Sequence, residues 1–187
     1  APYGKIQDWD VSQVTDMSNA FPFTHFNGDL SSWDTSSVTN MSFMFAEPLF
    51  VGDIASWDVS SVQTFSYMFQ DDVSFNQNLG VWDVSSAVTM EYMFGGASGF
   101  QAGGTQSFAN TNLISWDVSG VLNFSNMFIG CNFISLGLRS WDVSGASIMT
   151  DMFFSCSVFN EDIGSWNVSN VLDMVGLFQD CDAFSQD

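Results

Sequence analysis

The sequence predicts one α/β repeat solenoid that spans residues 1–187 and has about seven coils, each of roughly 24–25 residues. A motif close to Trp-Asp-Val-Ser-Ser-Val-Thr-Asn-Met occurs seven times, with successive Trp-to-Trp intervals of 24, 24, 25, 34, 25 and 25. Periods of this size are typical of solenoids, in which each coil buries its apolar face against its neighbours. The repeats begin at Trp9, Trp33, Trp57, Trp82, Trp116, Trp141 and Trp166.

The first residues of each repeat are typical of a short β-strand. Trp and Val alternate with Asp and Ser, which places the apolar side chains on one face and the polar ones on the other. Adjacent coils would pair these segments into a parallel β-sheet on one face of the solenoid, about 4.8 Å per strand. We therefore expect the tryptophans in the core and the aspartates outside.

The next segment of each repeat favours a short helical or 3₁₀ turn on the opposite face. Serine, three residues after each Trp, is a good helix N-cap. Apolar residues follow at positions five, eight, eleven and twelve after the Trp, which is helical spacing. The remaining arc, such as residues 157–165, has turn composition and leads back to the next strand.

The one long interval, between Trp82 and Trp116, predicts an insertion in the fourth repeat. Phe100 and Phe108 both match the one aromatic position before the next Trp, so a loop is expected at about 100–108. Such an insertion is either a tolerated extension or a binding feature on one face of the array. The candidate loop residues are Gln101, Gly103, Gly104, Thr105 and Gln106.

These motifs carry a resemblance to a known family. The segments WDVSSV, MFIGC (127–131) and FNEDIGSW (159–166) resemble the repeats of the BspA-like leucine-rich-repeat surface proteins, which include mycoplasma and Listeria lipoproteins. The resemblance covers nearly the whole chain. It implies a right-handed, leucine-rich-repeat-like coil, an extracellular or cell-surface location, and adhesion or recognition rather than catalysis.

Charge excludes two classes of partner. The chain has 21 acidic residues against Lys5 and Arg139, a net charge of −19, so nucleic acid and anionic membranes would be repelled. One histidine and one lysine offer no nucleophile–base pair of the usual kind. We therefore expect a protein that is not an enzyme and has no cofactor, unless Ca²⁺ binds weakly.

One carboxylate per repeat forms the main candidate site. An aspartate directly follows the Trp in six repeats, and Asn167 takes this place in the seventh. Three interpretations remain open: local turn hydrogen bonds, a weak Ca²⁺ site without an assigned ligand set, and an acidic stripe that faces a partner. The residues are Asp10, Asp34, Asp58, Asp83, Asp117 and Asp142, here called the aspartate ladder.

Two further columns of residues repeat along the chain. Cys131, Cys156 and Cys181 recur at the period of the repeat, so neighbouring pairs could form a disulfide or serve as small buried hydrophobes. Asparagines in N-glycosylation sequons allow a glycosylated, secreted protein. These are Asn40, Asn123 and Asn167.

The expected function is a non-catalytic extracellular or cell-surface binding or adhesion module. Its acidic face would meet a protein or glycan partner. The alternative is a structural subunit that stacks on itself end to end into a filament or coat, because solenoid ends without capping repeats expose apolar residues. A fragment of a longer array would also show such ends.

Overall fold

The computed structural model of the chain describes residues 4–24, 26–46, 50–75, 77–97, 113–131, 133 and 136–186. The predicted insertion at about 100–108, with its five candidate residues, lies outside these ranges. Two 3₁₀ helices occur in the described part, Ile6–Asp8 and Leu138–Ser140, and each ends directly before a tryptophan. Elsewhere the described backbone consists of turns, bends and single bridges.

Neighbouring repeats are joined by single-residue parallel β-bridges. Each bridging residue is the seventh after the Trp of its repeat. The bridges link Asp16, Asn40, Thr64, Thr89, Asn123, Ile148 and Asp173 in order. The strand predicted at Trp-Asp-Val was therefore misplaced. At those residues the Asp side chain bonds to the backbone ahead of it and turns the chain, and the β-pairing occurs five residues after the Val.

Beyond each bridge the backbone keeps pairing with the next repeat while it turns. Between the first two repeats, alternate amides of residues 17–23 donate to alternate carbonyls of residues 40–46, at 2.9–3.0 Å. The tenth residue after each Trp has a positive φ of 52–65°. Left-handed residues interrupt a right-handed helix, so the helical turn predicted here is wrong. We call these residues the left-handed column: Asn19, Phe43, Tyr67, Tyr92, Asn126, Asp151 and Gly176.

The tryptophans line the core and also connect the coils. Those of the five inner repeats, from Trp33 to Trp141, are at most 8% exposed, whereas Trp9 is 48% exposed. Each indole N–H from Trp33 onward donates to the carbonyl of the residue three positions before the previous Trp, as Trp57 does to Leu30 at 3.0 Å. The ring is thus buried with its one polar group satisfied.

A phenylalanine twelve residues after each Trp forms a continuous stack through the core. Successive ring centroids are 5.7–6.0 Å apart, and the rings are tilted by no more than 11°. The distance between Phe94 and Phe128, across the one long interval, is 5.8 Å. The insertion therefore leaves the stacking unchanged. The leucine-rich-repeat-like, right-handed class of the coil stays a prediction.

Candidate binding surface

Every carboxylate of the aspartate ladder is exposed and makes the same local contact. Its Oδ1 accepts the amide N–H of the serine two residues ahead, at 3.0–3.1 Å in all six repeats. In Asp83, for example, Oδ1 also accepts the Ser85 hydroxyl at 2.6 Å. This is an Asx turn closed by a charged acceptor.

These hydrogen bonds favour the ionised form of four ladder aspartates. The serine hydroxyl first, and then the serine amide, lower the pKa of Asp10, Asp34, Asp83 and Asp142. The charge of Asp10 opposes this only weakly at Asp34. Because Oδ1 is engaged locally, the second oxygen of each exposed carboxylate is the one that an outside partner would meet.

Asn167 shows that the turn does not need the charge. Its Oδ1 accepts the Ser169 amide at 3.2 Å, in the same position of the seventh repeat. An uncharged side chain thus closes the same turn. The local interpretation of the ladder accounts for an oxygen at this position, and it does not account for six carboxylates.

The sequence reasoning missed two further columns of such turns. One lies at the bridge, where the Asp16 Oδ1 accepts the Ser18 amide at 2.8 Å. The other lies four residues before the Trp, where the Asp29 Oδ1 accepts the Ser31 amide at 2.9 Å. The signal in the sequence was that the Asx-x-Ser pattern occurs three times in the first repeat, at Asp10, Asp16 and Asp29.

The geometry offers little to a metal ion. Within the described ranges, no group of three His, Cys, Asp or Glu side chains is placed to hold one. Ca²⁺ takes six to eight oxygens, and each rung of the ladder presents one oxygen that its own turn does not use. Weak Ca²⁺ binding along the ladder stays a prediction.

The cysteines are buried free thiols in this structure. Each Sγ donates to the carbonyl of the column phenylalanine one repeat earlier, as Cys156 does to Phe128 at 3.0 Å. Burial raises the pKa of all three thiols. In this structure they occupy core positions as small buried side chains, and no disulfide joins them.

The three sequon asparagines occupy two different environments. Asn40 and Asn123 are bridge residues and are half-buried, whereas Asn167 is exposed at the end of the ladder column. The Nδ2 of Asn123 donates to Glu91 at 3.4 Å. Of the three, Asn167 is the residue that a glycan could reach without loss of a contact between coils. Its glycosylation stays a prediction.

Asp72 is a buried carboxyl that the sequence reasoning did not single out. It is 0% exposed, its Oδ1 accepts the Ser74 amide at 3.0 Å, and its Oδ2 has no hydrogen-bond partner. Burial raises the pKa of Asp72 to about 7. The signal in the sequence was its position, fifteen residues after the Trp, where the later repeats have Ala97 or a cysteine.

Glu161 is buried too, but it is fully used. One carboxylate oxygen accepts the Leu138 amide at 2.8 Å, and the other accepts the Leu136 amide. Gln77, in the corresponding place of an earlier repeat, accepts the Ile54 amide at 3.4 Å. These side chains hold the turn that precedes the Trp of their own repeat, so they have a structural role.

The stacked coils, the backbone hydrogen bonds between them and the repeated turns define a repeat protein. Within the part that the structure describes, no helix has the length and apolar character needed to cross a bilayer. The chain belongs to the family described as "Mycoplasma protein of unknown function, DUF285", whose model matches residues 2–106 and again residues 102–187. This is consistent with a BspA-like repeat. No curated protein and no solved structure matches the chain.

Proposed function

We propose that the chain is a non-catalytic binding or adhesion module of the extracellular space or cell surface. The aspartate ladder would present its free carboxylate oxygens to a cationic region of a protein or to a glycan. The supporting observation is the contrast with Asn167: the fold needs only an acceptor oxygen at this position, yet six repeats have an exposed aspartate.

A substitution that keeps the turn and removes the charge tests this proposal. Asn closes the turn at position 167, so changing Asp34, Asp58, Asp83 and Asp117 to Asn should leave the fold intact. Binding of the wild type and of this variant to an array of extracellular-matrix proteins and glycans would be compared. We expect the variant to lose at least tenfold in affinity for the ligands that the wild type binds.

A charge-matched variant separates the ladder from the general charge of the protein. Asp16, Asp29, Asp53 and Asp173 close turns of the same kind elsewhere in the coil. Their change to Asn removes four charges as well, and we expect it to alter affinity less than threefold. Equal losses in the two variants would leave only non-specific attraction to a protein of net charge −19.

One observation favours the alternative, a subunit that stacks end to end. In the last repeat, side chains at positions that are buried in inner repeats are open: Val168 is 39% exposed and Met174 is 38% exposed, whereas Val143 and Met149 are at most 1% exposed. A further coil would cover them, supplied by a second copy or by the next repeat of a longer chain.

Sedimentation over a range of concentrations tests the stacking alternative. End-to-end contact predicts association that grows with concentration and is abolished by Met174→Glu, because a charge would then lie in the apolar contact. The ladder variants should associate like the wild type. A wild-type chain that stays monomeric throughout would contradict this alternative and leave the binding proposal untouched.

A further inference from the structure

The left-handed column changes character in the middle of the molecule. Its flanking members are Asn19, Asn126, Asp151 and Gly176, the residue types that adopt a positive φ most readily. Repeats two to four instead have bulky aromatic residues at φ 55–62°. An aromatic side chain is strained in this backbone conformation. We call Phe43, Tyr67 and Tyr92 the aromatic strip.

The strip is a flat ledge at the surface and not part of the core. The Phe43 and Tyr67 rings are 4.4 Å apart and tilted by 5°, and the Tyr67 and Tyr92 rings are 5.0 Å apart and tilted by 6°. All three residues are only half-buried. Because the ring faces cover one another, the ledge presents ring edges along its length.

A glycine completes the end of the ledge. The Tyr92 ring lies across the backbone of Gly95, where an added Cβ would come within 2.4 Å of the ring. The same Cβ would lie 2.9 Å from the Ile129 side chain in the next coil. The missing side chain at Gly95 therefore lets the last ring lie close to the surface of the coil.

A carboxylate contacts this ledge directly, and others add negative charge to its neighbourhood. The Tyr67 hydroxyl donates to Glu91 at 2.9 Å. After burial, the charges of Asp71, Asp151 and Glu91 are what raise the pKa of Tyr92. Both cationic residues of the chain lie in the turn before a Trp, at Lys5 and Arg139, and Arg139 pairs with Asp162 at 2.7 Å. The strip thus combines an apolar ledge with negative charge.

We propose that the aromatic strip and its carboxylates bind an arginine-bearing, extended segment of a partner protein. The apolar stems of the long side chains pack on the ring edges, and their guanidinium groups reach Glu91 and Asp71. Arginine suits this surface better than lysine because its planar guanidinium pairs with a carboxylate through two hydrogen bonds. The proposal rests on the binding function above, but it concerns a different surface.

Two synthetic peptides test the proposal by calorimetry at about 0.15 M salt. One has arginine at alternate positions along a glycine chain, and the other has lysine at the same positions. We expect the arginine peptide to bind the wild type about tenfold more tightly than the lysine peptide. In Tyr67→Asn with Tyr92→Asn this preference should disappear, since Asn already occupies the same conformation at Asn19 and Asn126.

A second pair of variants separates the strip from the ladder with equal changes in charge. Asp71→Asn with Glu91→Gln removes two carboxylates at the strip, and Asp58→Asn with Asp83→Asn removes two from the ladder in the same repeats. We expect about a tenfold loss of arginine-peptide affinity in the first and less than a twofold change in the second. This pair remains informative if the tyrosine variant does not fold.

Three results would overturn the proposal. Equal losses in the strip and ladder variants would reduce binding to general charge attraction. Unchanged affinity in a folded tyrosine variant would exclude the aromatic residues. Tyrosine-dependent binding of a neutral cello-oligosaccharide, with no binding of the arginine peptide, would make the strip a glycan platform. A strip that fails while the ladder variants still lose their array ligands would leave the proposed function standing.

Discussion

The same side chain occupies two opposite environments in this molecule. The ladder aspartates are exposed, and hydrogen bonds from a nearby serine lower the pKa of those at positions 10, 34, 83 and 142. Asp72 is fully buried with one oxygen unpartnered, and burial raises its pKa to about 7. The ladder aspartates recur because every coil contains the same turn. Asp72 occurs once, so its buried carboxyl belongs to the local structure of one repeat.

The contrast also has consequences for stability. A carboxylate that is stabilised in the folded state makes the fold more stable as the pH rises, whereas a carboxyl that must be neutral makes it less stable. The two kinds of aspartate therefore oppose each other between acid and neutral pH. Each can be removed separately, because Asn preserves the shape of the side chain at either place.

Removal of the Asp72 carboxyl should have the largest effect. Below its ordinary pKa of 3.8 the residue is neutral in both folded and unfolded chains. As the pH rises to about 7, the unfolded chain ionises first, so the wild type loses on the order of 3–4 kcal/mol of stability. Asp72→Asn should not lose it, and chemical denaturation from pH 4 to pH 8 measures the difference.

The control for this prediction is Asp72→Ala, which introduces the residue found at Ala97 in the next repeat. Its cavity lowers stability at every pH, but the slope with pH should match that of the Asn variant. Parallel pH profiles for the wild type and both variants would show that Asp72 does not titrate near neutrality.

The sequence predicted the parts of this fold that depend on repetition. The buried tryptophans and the outward aspartates followed from alternation and period, since every repeat has to bury the same face. It misplaced the β-pairing because Asp-x-Ser can turn the chain as well as end a strand, and pattern alone does not choose between them. The sequence did not predict the left-handed conformation of the tenth residue, because aromatic residues such as Phe43, Tyr67 and Tyr92 rarely adopt it.

Loss of one ladder acceptor should have the next largest effect. Asp83→Ala removes the oxygen that bonds the Ser85 amide and hydroxyl, so the turn loses its closing contacts. By analogy with the loss of a helix cap we expect about 1 kcal/mol of destabilisation, against a few tenths for Asp83→Asn. Thermal unfolding of the two variants decides this. Equal losses would show that the charge, and not the turn, stabilises the fold at this position.

Asp→Asn changes in the ladder should alter stability at acid pH by less per residue, because Asn keeps the turn and removes only the charge. With pKa values below the ordinary one, Asp10, Asp34, Asp83 and Asp142 stabilise the fold above about pH 4, and this is lost as the pH falls through their folded values. Changing all four to Asn should make the free energy of unfolding fall less steeply between pH 4 and pH 2. A decrease as steep as that of the wild type would show that other carboxyl groups cause the loss of stability in acid.

Calcium should have the smallest effect of all, and it tests whether the ladder is more than a set of separate turns. If neighbouring carboxylates share an ion through their free oxygens, affinity will be near the millimolar end of the range, because each rung offers one ligand. At about 2 mM Ca²⁺ that is worth roughly 0.6 kcal/mol, a rise of about 1–2 °C in Tm that EDTA reverses. The variant with Asp34, Asp58, Asp83 and Asp117 changed to Asn should show no rise, while the charge-matched variant should behave like the wild type. A Tm that is unchanged by Ca²⁺ in the wild type would contradict the shared ion, and the ladder would then present its carboxylates unbridged to a partner.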